Sequence, residues 1–175
     1  QPDAQAGACV VNVGSATCDF AYVATYGEDS TYSGGPDNPY KTLAYAISQL
    51  NGRKYIRMAS GTYPETEVLR LQNDLIIEGG YRVNGNIWTK SNADSTTIIG
   101  SGTETISATV AHRVAFVADN DDNWTLQDLT IITTPTNSVT SGNRGYSNYG
   151  VLAINGSSGF QLVRCKIYAG DAAKG

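Results

Sequence analysis

Three acidic side chains stand close together in the segment DNDDN, at positions 119–123. Asp119, Asp121 and Asp122 lie between two stretches that alternate apolar and polar residues, so we expect them to share one turn. An oxygen-rich turn can bind Ca²⁺, which is coordinated by carboxylate and carbonyl oxygens. The segment lacks the full loop signature of a dedicated calcium site, so a solvated acidic turn is the alternative. Ca²⁺ is the one cofactor that the sequence suggests.

A second candidate site is the segment SGNRGYSNYG at positions 141–150. Arg144, Tyr146 and Tyr149 supply a guanidinium and two aromatic rings, which can hydrogen-bond to sugars and stack on them. The segment lies where the repeat described below is lengthened, so we expect a protruding loop, which is a common place for binding residues. Trp88 could extend this ligand-binding surface, or it could pack the turn before it. An ordinary loop with its tyrosines folded back on the surface is the alternative.

The residues that could perform acid–base chemistry are sparse. Asp128 and Arg164 are 36 positions apart and point outward by alternation, which predicts a surface ion pair rather than a catalytic pair. No second acidic residue occurs at that spacing. His112 is the single histidine, which argues against a histidine-based triad or zinc site. The sequence therefore does not favour an enzyme for this segment.

A repeated apolar pattern must position these residues. The stretch NWTLQDLTI at 123–131 recurs as GFQLVRCKI at 159–167. The pairs, each 36 positions apart, are Trp124 and Phe160, Leu126 and Leu162, Leu129 and Cys165, and Ile131 and Ile167. Extending the alignment backwards matches Phe116 with Leu152 and Ala118 with Ile154, and Ile77 and Ile99 stand 22 positions apart.

Such a skeleton over variable connections predicts a solenoid, in which each unit buries its inward residues against its neighbours. Short strands without helices between them exclude a doubly wound α/β sheet. A β-sandwich explains the alternation but not the repeated spacing.

One helix precedes the strands. Asn38 as N-cap, Pro39 in the first position and Asn51-Gly52 as the stop predict a helix over residues 38–51. Its apolar stripe consists of Leu43, Ala46, Ile47 and Leu50. The chain is therefore divided into an N-terminal extended segment and loop at 1–36, the helix at 37–52 and the strands at 53–175.

The chain contains the motifs GEDSTYSGGPDNPYKTLAYAI, the ASGTY turn, and LIIEGGY followed by Trp88 and STTIIGSG. Together these motifs resemble the opening of right-handed parallel β-helix proteins of the pectin-lyase-like superfamily. The resemblance implies an all-β fold, a right-handed parallel β-helix (solenoid) with one N-terminal capping α-helix across its first coil. It also implies a bacterial secreted or cell-surface protein, with coils that continue beyond the given chain. No catalytic residue of that superfamily can be transferred to this sequence.

Composition narrows the list of partners. The chain has 16 acidic and 12 basic residues, and the basic ones are scattered, which argues against nucleic acid. No apolar run approaches the length of a membrane span. Cys9 and Cys18 could form a disulfide in an oxidising compartment or remain two thiols, whereas Cys165 is expected to be a small buried side chain.

These observations lead to three functional hypotheses. The leading one is a secreted or cell-surface adhesin, or a stalk that contacts a polysaccharide or cell-surface glycan. The second is a polysaccharide lyase or glycoside hydrolase whose active site lies on later coils. The third is a subunit of a surface filament or secretion complex, which contacts a protein neighbour through the open C-terminal end of the solenoid.

Overall fold

The computed structural model describes residues 20–91, 93–107, 110–139 and 144–174. Cys9 and Cys18 lie outside the described residues. Within them the chain forms fourteen strands and one helix. The elements are β1 (Phe20–Val23), α1 (Leu43–Ser48), β2 (Tyr55–Ala59), β3 (Gly61–Glu65), β4 (Leu69–Arg70), β5 (Ile76–Asn84), β6 (Ile87–Lys90), β7 (Thr96–Gly100), β8 (Thr103–Ser107), β9 (Val110–Asp119), β10 (Thr125–Gln127), β11 (Leu129–Thr133), β12 (Asn148–Ile154), β13 (Gln161–Val163) and β14 (Lys166–Tyr168).

The strands form three sheets, which the chain visits in turn. Sheet A has the order β1-β2-β5-β10-β13, sheet B the order β14-β11-β7-β3, and sheet C the order β12-β9-β4. All neighbours along these paths are parallel. The first coil is β2-β3-β4, the second β5-β7-β9 and the third β10-β11-β12, while β13 and β14 belong to a fourth. This is a parallel β-helix, and the β-sandwich alternative is excluded because its sheets would be antiparallel.

Inward side chains from successive coils stack into the core. Leu126 of β10 pairs with Leu162 of β13, and the rings of Trp124 and Phe160 are parallel, with centroids 4.7 Å apart. The 36-residue repeat predicted for sheet A is therefore confirmed. It also holds in sheet B, where β11 pairs with β14 at the same offset.

The backward extension of the repeat into sheet C is wrong by one residue. Phe116 pairs with Val151 rather than with Leu152, and Ala118 pairs with Ala153. The turn from β12 to β13 is one residue longer than the turn from β9 to β10. An alignment without gaps cannot represent that difference.

The 22-residue spacing between Ile77 and Ile99 does not mark stacked positions. Ile77 lies in sheet A, where its partners are Ile56 and Leu126, whereas Ile99 lies in sheet B. The coils differ in length because two antiparallel hairpins, β5–β6 and β8–β9, leave the coil path.

The helix begins later than its sequence signals predict. Thr42 is the N-cap, and its hydroxyl accepts a hydrogen bond from the Tyr45 N–H at 3.2 Å. The predicted start at Asn38 is wrong because Tyr40, next to Pro39, bonds as a strand to β1. The predicted apolar stripe is buried, and the helix packs against β1, β3 and β4 of the first coils.

The fourth coil presents its inward-type side chains to solvent. Phe160, Leu162 and Ile167 are 40–44% exposed. The expected protein neighbour at this end stays a prediction. No helix among the described residues has the length and apolar character needed to cross a membrane.

Candidate functional site

Two of the three aspartates of DNDDN, Asp119 and Asp122, connect turns of adjacent coils through their carboxylates. The Asp119 carboxylate accepts a hydrogen bond from Asn155 Nδ2 at 2.6 Å, and Asp122 Oδ1 accepts from the Ser158 N–H at 2.6 Å. Asp121 lies between them and is half-buried. Among the described residues, no group of three or more His, Cys, Asp or Glu side chains could hold a metal ion. Asp119 and Asp122 thus join turns, and the Ca²⁺ expectation stays a prediction.

Trp88 does not belong to an exposed ligand surface. It is 6% exposed, and its ring packs 4.9 Å from that of Tyr22 and 6.2 Å from that of Tyr81. Its Nε1–H donates to the Pro36 carbonyl at 3.1 Å. The hairpin β5–β6 places the indole in a second apolar cluster under the N-terminal loop. Trp88 therefore packs that loop and is removed from the predicted binding set.

The predicted loop has a closed base. Val139 forms an antiparallel bridge with Gly145, and the Tyr146 N–H donates to the Ser138 carbonyl at 3.0 Å. Positions 140–143 lie outside the described residues. Just after these positions, Arg144 is exposed and Tyr146 is half-buried.

Tyr149 lies in β12 and is supported by the neighbouring strand. It pairs with Val114 of β9, and its ring meets the ring of His112 edge-on, with centroids 5.5 Å apart at 75°. His112 Nδ1 accepts a hydrogen bond from the Ser147 N–H at 3.3 Å. With Nδ1 as the acceptor, the ring proton is assigned to Nε2, which is then a donor.

A carboxylate and a guanidinium extend this surface. Glu104 of β8 lies opposite His112 of β9, so the two side chains share a face. The Glu104 carboxylate accepts a hydrogen bond from Nη2 of Arg70, on β4, at 2.6 Å. We call Arg70, Glu104, His112 and Tyr149, together with Arg144 and Tyr146 at the base of the loop that precedes β12, the sheet C patch.

The sheet C patch combines residues from three coils. Arg144, Tyr146 and Tyr149 were predicted from residue type, whereas Arg70, Glu104 and His112 were missed. The alternating residues on both sides of Ser107 could have indicated the hairpin that places Glu104 against His112. Aromatic faces, guanidinium donors and a carboxylate acceptor are the groups that recognise hydroxylated rings.

A charged network crosses the turn between sheets A and B. Arg164 binds Asp128 through Nε at 2.5 Å and Nη2 at 2.8 Å, which confirms the predicted ion pair. Lys90 Nζ contacts the carboxylates of Asp128 at 2.6 Å and Glu78 at 2.8 Å. We call Glu78, Lys90, Asp128 and Arg164 the Asp128 network. Because its members come from three coils, it ties the coils together.

The Asp128 network is unsuited to proton transfer. Burial by itself raises the pKa of Asp128. Hydrogen bonds from Arg164 and Lys90, together with the charge of Lys90, outweigh burial and lower the pKa to about 2. A carboxylate that stays ionised at neutral pH cannot act as a general acid, and its engagement with two cations makes it a poor base. Burial raises the pKa of Glu65, but that carboxylate accepts the Leu43 N–H at 2.7 Å and serves the helix start.

Cys165 is half-buried and has no disulfide partner among the described residues. Its Sγ donates to the Leu126 carbonyl at 3.2 Å. It packs against the main core, although it is less buried than its place in the repeat predicted.

Stacked parallel coils around a continuous core, with polar residues on the outer faces, define a parallel β-helix protein. The chain belongs to the family described as "Protein of unknown function (DUF1565)", whose model matches residues 25–157. That range contains the whole sheet C patch. No curated protein and no solved structure matches the chain.

Proposed function

We propose that this protein is a secreted or cell-surface β-helix that binds carbohydrate through the sheet C patch, as an adhesin or glycan-contacting stalk. The observation that carries the proposal is the ring of Tyr149, half-exposed and supported edge-on by His112. The Glu104–Arg70 ion pair lies on the same sheet. Together they place an aromatic ring beside charged hydrogen-bonding groups.

Each part of the sheet C patch has a role in binding a sugar. The Tyr149 ring packs against the apolar C–H face of a pyranose, while His112 Nε2–H and Arg144 donate to hydroxyl oxygens. The Glu104 carboxylate accepts from a hydroxyl while Arg70 holds it in place. Tyr149 and His112 are in paired strands, so little conformational freedom is lost on binding.

Binding without catalysis agrees better with this chemistry than glycosidic cleavage does. Glycoside hydrolases generally place two carboxyl groups at the scissile bond, and the sheet C patch contains one. That one, Glu104, is ion-paired with Arg70. The patch itself therefore lacks the pair of carboxyl groups that a glycoside hydrolase uses, whereas the lyase or hydrolase hypothesis places its active site on later coils.

A glycan array followed by titration calorimetry tests the proposal. Tyr149→Ala is expected to weaken the best glycan about tenfold, because one aromatic contact contributes about 1 kcal/mol or more. Tyr32→Ala is the matched control, since Tyr32 is 71% exposed and lies in the N-terminal loop.

Circular dichroism melts would verify that both variants fold. An array without any binder, or equal losses in the two variants, would refute binding by the sheet C patch. Protease accessibility on intact cells tests the surface location, which would be contradicted by protection of the protein until the cells are lysed.

A further inference from the structure

A polar groove follows the corner between sheets A and B, on a different face from the sheet C patch. Its volume is about 250 Å³. Residues 91 and 94–96, next to the β5–β6 hairpin, line one part of it, and Thr130 of β11 lines another. Arg164 and Lys166 from the fourth coil complete the lining.

The carboxylates of this groove are already neutralised. Asp94 forms a two-point ion pair with Arg82, at 2.9 and 3.1 Å. In the Asp128 network two carboxylates are matched by two cations, Lys90 and Arg164. Three negative charges are therefore balanced by three positive ones.

Lys166 is left as an uncompensated cation. It is exposed, and its ammonium has no hydrogen-bond or ion-pair partner in the part of the chain that the structure describes. It pairs in register with Thr130, so an ammonium and a hydroxyl stand on neighbouring strands of the same face. Arg164 uses Nε and Nη2 for Asp128, which leaves Nη1 to donate elsewhere.

We propose that this groove binds one anionic group, a carboxylate or a sulfate ester, on a hydroxylated ligand. Lys166 and Arg164 Nη1 contact the anion, and the hydroxyls of Thr130 and Ser95 bond the neighbouring oxygens. The Asp128 network fixes the position of Arg164, so this donor is held in place before the ligand arrives. The site does not depend on the sheet C patch or on its proposed function.

Binding of three soluble polymers to the whole chain tests the proposal. Dextran sulfate presents sulfate esters, hyaluronan presents carboxylates, and unmodified dextran presents neither. In calorimetry at low salt, at least one anionic polymer is expected to bind while dextran does not, and binding should weaken as salt is added. Binding of one anionic polymer alone identifies the anion, and binding of both supports the shared chemistry. Equal binding of all three polymers, or of none, overturns the proposal.

Two lysine variants separate a defined site from general charge attraction. Lys166→Gln is expected to weaken the anionic polymer about fivefold, and Lys166→Arg to retain most of the affinity. Lys41→Gln is the matched control, because Lys41 is equally an exposed lysine and lies outside the groove. Equal losses in Lys166→Gln and Lys41→Gln would refute the site.

Tyr149→Ala distinguishes the two binding proposals. It should leave the anionic polymer bound as in the wild type, since the groove does not include that residue. A loss in Tyr149→Ala together with no loss in Lys166→Gln would assign the anion to the sheet C patch and overturn this site.

Discussion

Replacement of Asp128 by asparagine isolates the contribution of the charged network to stability. Asparagine keeps the size of the side chain and accepts the left-handed backbone at this position, where φ is 54°. It removes the negative charge that Arg164 and Lys90 contact at 2.5 to 2.8 Å. The variant therefore tests the ion pairs with little disturbance of the turn.

The expected loss follows from the pKa of Asp128. Folding lowers this pKa from its ordinary value of 3.8 to about 2, and the side chain is only 15% exposed. At about 1.4 kcal/mol for each pKa unit, the folded state gains about 2 kcal/mol from the ionised carboxylate. Because the folded pKa is the lower one, this stabilisation is complete above the unfolded value and is lost as the pH falls through the folded value.

Urea unfolding from neutral pH down to about pH 2 measures both the size and the pH dependence of this contribution. Asp128→Asn is expected to be about 2 kcal/mol less stable than the wild type at pH 7, and the difference should shrink between about pH 4 and pH 2. Asp94→Asn is the control, since its ion pair with Arg82 is exposed and should contribute less. Equal stability of Asp128→Asn and the wild type at pH 7, or a difference that persists at pH 2, would refute the reasoning.

Three further predictions concern the coil, the helix start and the core. Gly79→Ala should destabilise the fold by about 3 kcal/mol in urea unfolding, because the added Cβ would lie 2.6 Å from a backbone oxygen of the next coil. Gly85→Ala should cost only about 1 kcal/mol, since its φ is 62° but no atom lies within 4 Å, and equal costs would contradict the clash. Glu65 has a raised pKa, so the wild type should lose stability as the pH rises above its ordinary value of 4.5. Glu65→Gln can still accept the Leu43 N–H without a buried charge, so its melting temperature should lack this decline with pH. If the melting temperatures of the wild type and the variant changed in parallel with pH, Glu65 would not be the cause of the decline. Leu126→Ala should cost about 3 kcal/mol because the side chain is fully buried, and a loss below about 1 kcal/mol would show that it lies outside the core.

Local patterns account for the helix stripe but not for the helix start. The spacing of the stripe is a property of the helix itself, so the sequence reveals it directly. The start depends on distant groups: the Asp29 carboxylate accepts the N–H groups of Lys41 and Thr42, and Glu65 accepts that of Leu43. These carboxylates come from a loop and from β3, and a local reading of Asn38-Pro39 could not include them.

The repeated spacing of apolar residues was enough to predict a solenoid, and the resemblance then implied that it is a parallel β-helix. Each inward side chain of a coil is covered by the one above it, so Trp124 and Phe160 must recur at the length of one turn. The same spacing predicted the Asp128–Arg164 ion pair, because a constant offset brings outward residues together as well. The sequence by itself therefore determined which side chains stack between coils that pair at a constant offset, as in sheets A and B of the third and fourth coils.

In sheet C, the tertiary structure alone decided which outer residues meet. Glu104 reaches His112 through a hairpin that leaves the coil. Tyr149 reaches the same ring because strands β9 and β12 of sheet C pair at an offset one residue shorter than the repeat. The hairpins can change length without disturbing the main core, since they project from the coil path. The core therefore specifies the stacking of inward side chains, whereas the outer faces follow insertions that no periodic pattern records.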